Sequence, residues 1–517
     1  MRSLRAAAVL LAALGSALAA QQAVVPEVAP GAGAPVSAPP VDHEFRGVWV
    51  ATVGNIDWPS APGLSTAAQQ QELLAILDRA ASLHLNAVIL QVRPSADAMY
   101  ESKLEPWSGF LTGRMGRPPA PLWDPLAFAV REAHARGLEL HAWFNPFRAR
   151  YPGDPGPAAK GHVSRSTPGI VHRYGPYLWT DPGSATARAQ AIRVILDVVR
   201  RYDVDGVHID DTFYPYPVAR GGRDVSFPDD ATYRAYRKAG GSLDRDDWRR
   251  RNVDRFVRDL YAAVKRAKSW VKVGISPFGI WRPENPPSVQ GFDAYAKLFA
   301  DSRKWLQEGW VDYLAPQLYW PIDRAGQAYP DLLDWWVRQN VKGRHLWVGN
   351  YAARVAGTSG SGPPWPASEI LDQIRLTREE PGADGDIFFS MATLMSNPDG
   401  LSARMLAGPY AEPALVPRFP WLTGAGPVPV KPAVRLSRAA PGDATIVHLA
   451  PGGGAPWQWV VQARVDGAWH TAILPGTART HALDGALGNA DAVSVIAVDR
   501  VGNESPPAVV VRDGSGR

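Results

Sequence analysis

Eight times between residues 45 and 390 a short apolar run is followed by a longer stretch in which apolar side chains recur at helical spacing. Few architectures accept that alternation. A strand that waits for a helix before the next strand arrives is a parallel strand. Eight such units suit a closed (β/α)8 barrel better than an open doubly wound sheet. The strand-like runs are 45–53, 87–93, 139–145, 206–210, 272–276, 311–318, 345–351 and 386–390. The helical stretches between them are 66–83, 125–136, 185–202, 250–268, 293–308, 330–341 and 367–378, with Gly137 and Gly309 just past two of their ends as stop signals. An open nucleotide-binding sheet would carry a glycine-rich turn after its first strand, and none follows Val53.

The flanks are different in kind. Met1-Arg2-Ser3-Leu4-Arg5, an apolar run over 6–14 and the small residues Ala17-Leu18-Ala19 have the order of a secretory signal peptide, so 1–20 is expected to be removed. Residues 21–43 are rich in Pro and Ala and read as a tether, 44–420 as the barrel, 421–432 as a Gly/Pro linker and 433–517 as a small β-sandwich. The stretch 497–505 resembles the last hairpin of a fibronectin type III module, which is expected to bind or to space. The fold class expected is therefore α/β, a TIM barrel followed by a β-sandwich.

Export to the periplasm or beyond, in association with the cell envelope, follows from the leader, and no later stretch is long enough for a membrane span. With no Cys in 517 residues, disulfides, thiolate metal sites, a Cys nucleophile and a lipid-modified N-terminal Cys are excluded. A net charge of +5 is dispersed, the longest basic run being 249–251, so a nucleic-acid partner is not implied. The 20 Trp exceed what a core of this size needs, and indole faces stack well on sugar rings. A polysaccharide partner is the natural use for the excess.

In a barrel of this type the reacting groups sit at the C-terminal strand ends. Acidic groups hug the sheet on the fourth strand, where Gly206-Val207-His208-Ile209 ends in Asp210-Asp211. Side chains alternate along a strand, so Asp210 shares the facing of His208 and Asp211 turns the other way or begins the loop. A plainer use for either acid is to cap the next segment or to pair with Arg93 or Arg148. Glycoside cleavage needs two carboxyl groups, and Glu105, beside Trp107, is the preferred second, with Asp97 and Glu101 competing. Gln91, Arg93, His141, Asn145, His208 and Gln317 are candidates to grip sugar groups, and Trp107, Trp143, Tyr214, Tyr216, Tyr319 and Trp320 to stack on or contact the rings. His141 also fits the ordinary role of a satisfied interior histidine.

These strand ends carry a family likeness. Phe45-Arg46-Gly47-Val48-Trp49-Val50 with Asp57-Trp58-Pro59, Gln91-Val92-Arg93-Pro94, Glu105-Pro106-Trp107-Ser108, His141-Ala142-Trp143-Phe144-Asn145-Pro146, Gly206-Val207-His208-Ile209-Asp210-Asp211 and Pro316-Gln317-Leu318-Tyr319-Trp320 together resemble the glycosyl hydrolase-like 10 family over roughly 44–406. The resemblance implies a barrel acting on glycans outside the cytoplasm, with peptidoglycan glycan strands as the favoured substrate and no cofactor. Two rival readings remain. One is a metal-dependent hydrolase with His208, Asp210 and Asp211 as ligands, which has few further histidines to draw on. The other is a barrel that binds glycan without cleaving it, since the fifth strand ends without an acid.

Overall fold

A computed structural model describes residues 36–512, apart from 358, 359, 361, 425, 441 and 442. The expected leader over 1–20 lies outside the described residues. Of the expected tether, residues 36–43 lie against folded chain: Val41 is buried with Leu415 and Val460, and the Pro39 carbonyl accepts a bond from Gln462 Nε2 at 3.1 Å.

The alternation of the sequence becomes a closed parallel sheet. Its strands are β1 (Phe45–Val50), β2 (Ala87–Arg93), β3 (Glu139–Phe144), β4 (Gly206–Ile209), β5 (Lys272–Ile275), β6 (Tyr313–Leu314), β7 and β8 (Gly385–Phe388), where β7 is two pieces, His345–Leu346 and Val348–Asn350, either side of Trp347. Each strand pairs in parallel with the next, and β8 returns to β1 with Phe45 opposite Gly385. The chain is thus a (β/α)8 barrel.

The interior of the barrel is filled by rings, and two glycines make the room. A Cβ at Gly206 would lie 2.5 Å from His141 Nδ1, and one at Gly274 would lie 1.9 Å from the Tyr313 ring. Any larger residue at either place would displace the ring it faces. Helices α1 (Thr66–Ser82), α2 (Pro125–His134), α3 (Ala185–Arg201) and α4 (Arg245–Ala267) cover the first strands, each opened by a Ser or Asp whose side chain accepts a first-turn N–H. Each such cap contributes about 1 kcal/mol. The fourth begins at Arg245 instead of residue 250 because Asp244 caps Asp247 N at 2.8 Å. The expected helix over 293–308 is broken into Ala294–Lys297 and α5 (Ser302–Glu308), with Phe299 between them at φ 54°. Helices α6 (Tyr329–Gln339), α7 (Ala367–Glu379) and α8 (Leu401–Ala407) complete the ring.

One insertion was not visible in the pattern. After β3 the chain forms a three-stranded antiparallel sheet from Arg148–Arg150, Val171–Tyr174 and Tyr177–Thr180, which holds Arg148 beside the barrel mouth.

Beyond the barrel, β9 (Ala433–Ser437), β10 (Thr445–Ala450), β11 (Gln458–Val465), β12 (Ala468–Pro475), β13 (Thr480–Leu483), β14 (Ala492–Val498) and β15 (Ala508–Val511) form two antiparallel sheets, ordered β9-β10-β13 and β12-β11-β14-β15. They close on a core of Val447, Leu449, Trp459, Val461 and Val495, a β-sandwich. It docks on the N-terminal ends of the barrel strands. Gln458 Nε2 donates to the Gly137 carbonyl at 2.7 Å, Arg500 pairs with Asp203, and Val501 joins Phe45, Trp347 and Phe419 in one apolar cluster.

Candidate active site

At the opposite end the strands surround a cavity of about 210 Å³. Trp49 and Ala51 come from β1 and its end, Gln91 from β2, Trp143 from β3, Asp210 from just past β4 and Ser276 from just past β5. Gln317, Tyr319 and Phe389 follow β6 and β8. Trp49, Trp143, Tyr319 and Phe389 give the walls aromatic faces, and Gln91, Arg148, Asp210, Ser276 and Gln317 give them polar ones.

Asp210 is held by a relay of amides. Gln91 Oε1 accepts from the backbone N–H of Thr52 at 2.9 Å and of Val53 at 2.8 Å, which fixes the amide's orientation and turns its NH2 toward Asn145. Gln91 Nε2 then donates to Asn145 Oδ1 at 2.6 Å, and Asn145 Nδ2 donates to Asp210 Oδ2 at 2.9 Å. The other oxygen, Oδ1, accepts from the N–H of Asp211 at 2.9 Å. Both oxygens therefore face donors, the arrangement a carboxylate satisfies.

Asp211 differs. Its Oδ2 accepts from the Tyr216 hydroxyl, and the side chain is nearly closed to solvent. Burial first, and then the charge of Asp210 beside it, push its carboxyl well above the usual carboxylate range, against the pull of the Tyr216 hydroxyl. Two adjacent carboxyl groups with unlike surroundings are able to divide the roles of base and acid. Arg148 stands by without ion-pairing: Nε donates to the Pro94 carbonyl at 2.7 Å, Nη2 is buried without a partner, and the nearby Asp210 charge partly offsets the burial that depresses its pKa.

The two histidines expected to touch substrate do not reach the cavity. His208 and His141 are fully buried in a ladder that runs down the barrel axis. The Trp49 indole, which can only donate, gives its N–H to His208 Nε2 at 3.0 Å, and this fixes the tautomer of a ring that burial, then His141, keep well below its usual pKa. His208 Nδ1–H therefore donates to the Tyr313 oxygen at 3.0 Å, the Tyr313 hydroxyl donates to His141 Nδ1 at 2.9 Å, and His141 Nε2–H donates to Glu139 at 3.0 Å. Lys272 closes the ladder on Glu139 at 2.5 Å.

Glu105 also gives way as the second acid. It is buried in a two-bond pair with Arg93, Nε to Oε2 at 2.7 Å and Nη2 to Oε1 at 2.5 Å, so Arg93 is spent as well, its Nη1 going to the Asn145 carbonyl at 2.6 Å. A carboxylate held by a guanidinium on both oxygens is a poor proton donor. The competing loop acids stand elsewhere: Asp97 is buried under the Ser95 N–H at 2.8 Å and Glu101 is exposed. Trp107 packs on the helix-covered core, Tyr214 is fully buried against Phe227 and Phe299, and Trp320 leans on Phe278. The structure thus gathers Gln91, Trp143, Asn145, Asp210, Asp211, Tyr216, Gln317 and Tyr319, and separates Arg93, Glu105, Trp107, His141, His208, Tyr214 and Trp320 from them.

Sequence reasoning passed over Trp49 and Phe389 as lining residues, and took Arg148 only as an ion-pair partner for the acids. Trp49 was within reach, since it lies two residues before Ala51 on the same face of β1. That Arg148 would stay unpaired was not, because the inserted sheet that places it leaves no periodic signal. As for metal ligation, both His208 nitrogens are occupied, and among the described residues no three His, Asp or Glu side chains converge.

A closed parallel barrel with an orienting relay and a carboxyl pair at the C-terminal ends of its strands has the layout of a TIM-barrel enzyme. The chain belongs to the glycosyl hydrolase-like 10 family, whose sequence model matches residues 44–367. It is 43% identical over 395 residues to glycosyl hydrolase YngK of Bacillus subtilis, covering 75% of this chain and 76% of that one. Glycosyl hydrolase DigH of Escherichia coli is 33% identical over 409 residues, covering 74% and 91%. The glycoside hydrolase domain of PgaB (BpsB) from Bordetella bronchiseptica, at 15% identity and TM-score 0.45, covers 71% of this chain and 98% of that domain. The protein is a glycoside hydrolase.

Proposed function

We propose that the chain is exported and hydrolyses glycosidic bonds in the glycan strands of bacterial peptidoglycan, with Asp210 and Asp211 performing the acid and base chemistry. The observation that carries this reading is the placement of Asp210 in an aromatic-walled cavity with Asp211 beside it under a different hydrogen-bond regime. Trp49, Trp143 and Tyr319 supply flat apolar faces for a sugar ring, and Gln317 a polar edge. The leader-like N-terminus favours the envelope as the place of action, and the modest positive excess suits an anionic wall polymer. In this reading the C-terminal sandwich, fibronectin type III-like in its final hairpin, is a spacer or a second contact with the envelope. Purified glycan strands should gain new reducing ends with the wild-type protein and not with Asp210→Asn of equal thermal stability. Strands bound but uncut by the wild type would make the protein a binder and defeat the proposal.

A further inference from the structure

Resting on the glycosidase reading, we infer that the nucleophile comes from the substrate: the sugar bound in the cavity carries a 2-acetamido group whose carbonyl oxygen displaces the leaving group, with Asp210 receiving the acetamide N–H and Asp211 supplying the proton. The two-carboxylate route places its acids on opposite sides of the scissile bond, about 5 Å or about 6.5–9.5 Å apart. Here the acids are sequence neighbours on one strand end; across the barrel mouth, where β8 meets β1, the lining residues are Trp49, Ala51 and Phe389, and Asp57 beside them has both oxygens taken, Oδ2 by the Ala51 N–H and Oδ1 by the Ser390 hydroxyl and the Ala392 N–H, each at 2.7 Å. Glu105, the acid expected to be the second, is fastened to Arg93. A glycosidase lacking an opposed carboxylate needs its nucleophile from elsewhere, and a neighbouring acetamide is the established substitute in substrate-assisted enzymes.

The cavity suits that group. At about 210 Å³ it lies below the roughly 300–1,000 Å³ of drug-sized sites, a volume for one ring and a short substituent. Ala51, Val53 and Ile56 give an apolar corner for a methyl group, and Asp210, aimed by Asn145, retains free lone pairs for an N–H.

The electrons balance. The acetamide oxygen bonds to C1 as the bond from C1 to the leaving oxygen breaks, and that oxygen takes the proton of Asp211. The bicyclic oxazolinium ion carries its positive charge beside the Asp210 carboxylate. Water then attacks C1, gives its proton to Asp211, and the ring opens to the acetamide with the original anomeric configuration restored.

The test uses the full chain on three preparations of one glycan: native strands, strands chemically stripped of N-acetyl groups, and stripped strands re-acetylated. Losing an intramolecular nucleophile should slow cleavage by about 100-fold or more, and re-acetylation should restore it. Stepwise fluorination of the acetyl group should lower the rate progressively, and proton NMR should show retention. A 2-acetamido-sugar thiazoline, a stable mimic of the bicyclic ion, should bind the wild type and bind Asp210→Asn at least about 10-fold more weakly, a loss of about 1.4 kcal/mol. Equal cleavage of stripped and native strands, or an inverted product, overturns the inference. If no strand is cut yet the thiazoline binds in an Asp210-dependent way, the peptidoglycan reading fails and the acetamide inference stands; if it does not bind, both fail.

Discussion

The axial ladder of the barrel and its mouth are made by the same strands yet use their polar groups in opposite ways. From Lys272 up to Trp49 each ring nitrogen and hydroxyl of the axial ladder has a partner. At the mouth, Trp143 Nε1 and Arg148 Nη2 are buried without one, and two carboxyl groups stand side by side without an ion pair. Closed networks hold a fold together, whereas open groups are left for a ligand. The same contrast separates Glu105, in the loop after β2, from Asp210, just past β4: the first is partnered by a guanidinium, the second by an amide.

The largest expected effects test that contrast directly. Asp210→Asn should lower kcat by about 10³-fold or more with little change in unfolding midpoint, while Glu105→Gln should cost about 3–5 kcal/mol in urea titrations, because it leaves Arg93 buried and uncompensated. An exchange of these outcomes would reverse the assignments. Tyr313→Phe breaks the ladder at its middle and should cost about 1–3 kcal/mol, read by the same titration.

Next comes Asp386 on β8, whose carboxyl burial pushes up to about 8 despite bonds from Asn350 and Thr377. Folding keeps a proton there that the unfolded chain releases, so stability should fall as pH rises from the ordinary Asp range near 3.8 toward about 8. Asp386→Asn should flatten that slope in denaturant midpoints taken at intervals across this range; an unchanged slope would place the titration elsewhere. The smallest effect belongs to Tyr216→Phe. Its hydroxyl lowers the Asp211 pKa, so removing it should move the alkaline limb of the kcat profile to higher pH, with a rate change of only a few-fold.

The barrel was legible because eight strand-and-helix alternations leave few alternatives, and the acid pair because carboxyl groups at the end of a buried strand need a reason. The roles of His141, His208 and Glu105 were not. Periodicity says which face of a strand a side chain takes but not its depth along the barrel axis, and Gly206 and Gly274 were what drew His141 and Tyr313 inward. Glu105 depended on where the Arg93 guanidinium would end, which a long loop decides. Part of the indole is core: Trp58, Trp305, Trp336, Trp347 and Trp459 are fully enclosed, while Trp49 and Trp143 line the cavity.

The docking of the sandwich has a thermodynamic consequence. Because Arg500, Gln458 and Val501 seal the end of the barrel where Lys272 and Glu139 begin their strands, cutting the chain before β9 would wet an ion pair and strip Phe419 and Trp347 of cover. The two lobes should therefore melt in a single calorimetric transition, each acting as part of the other's interior. Two separate endotherms would show the seam to be loose.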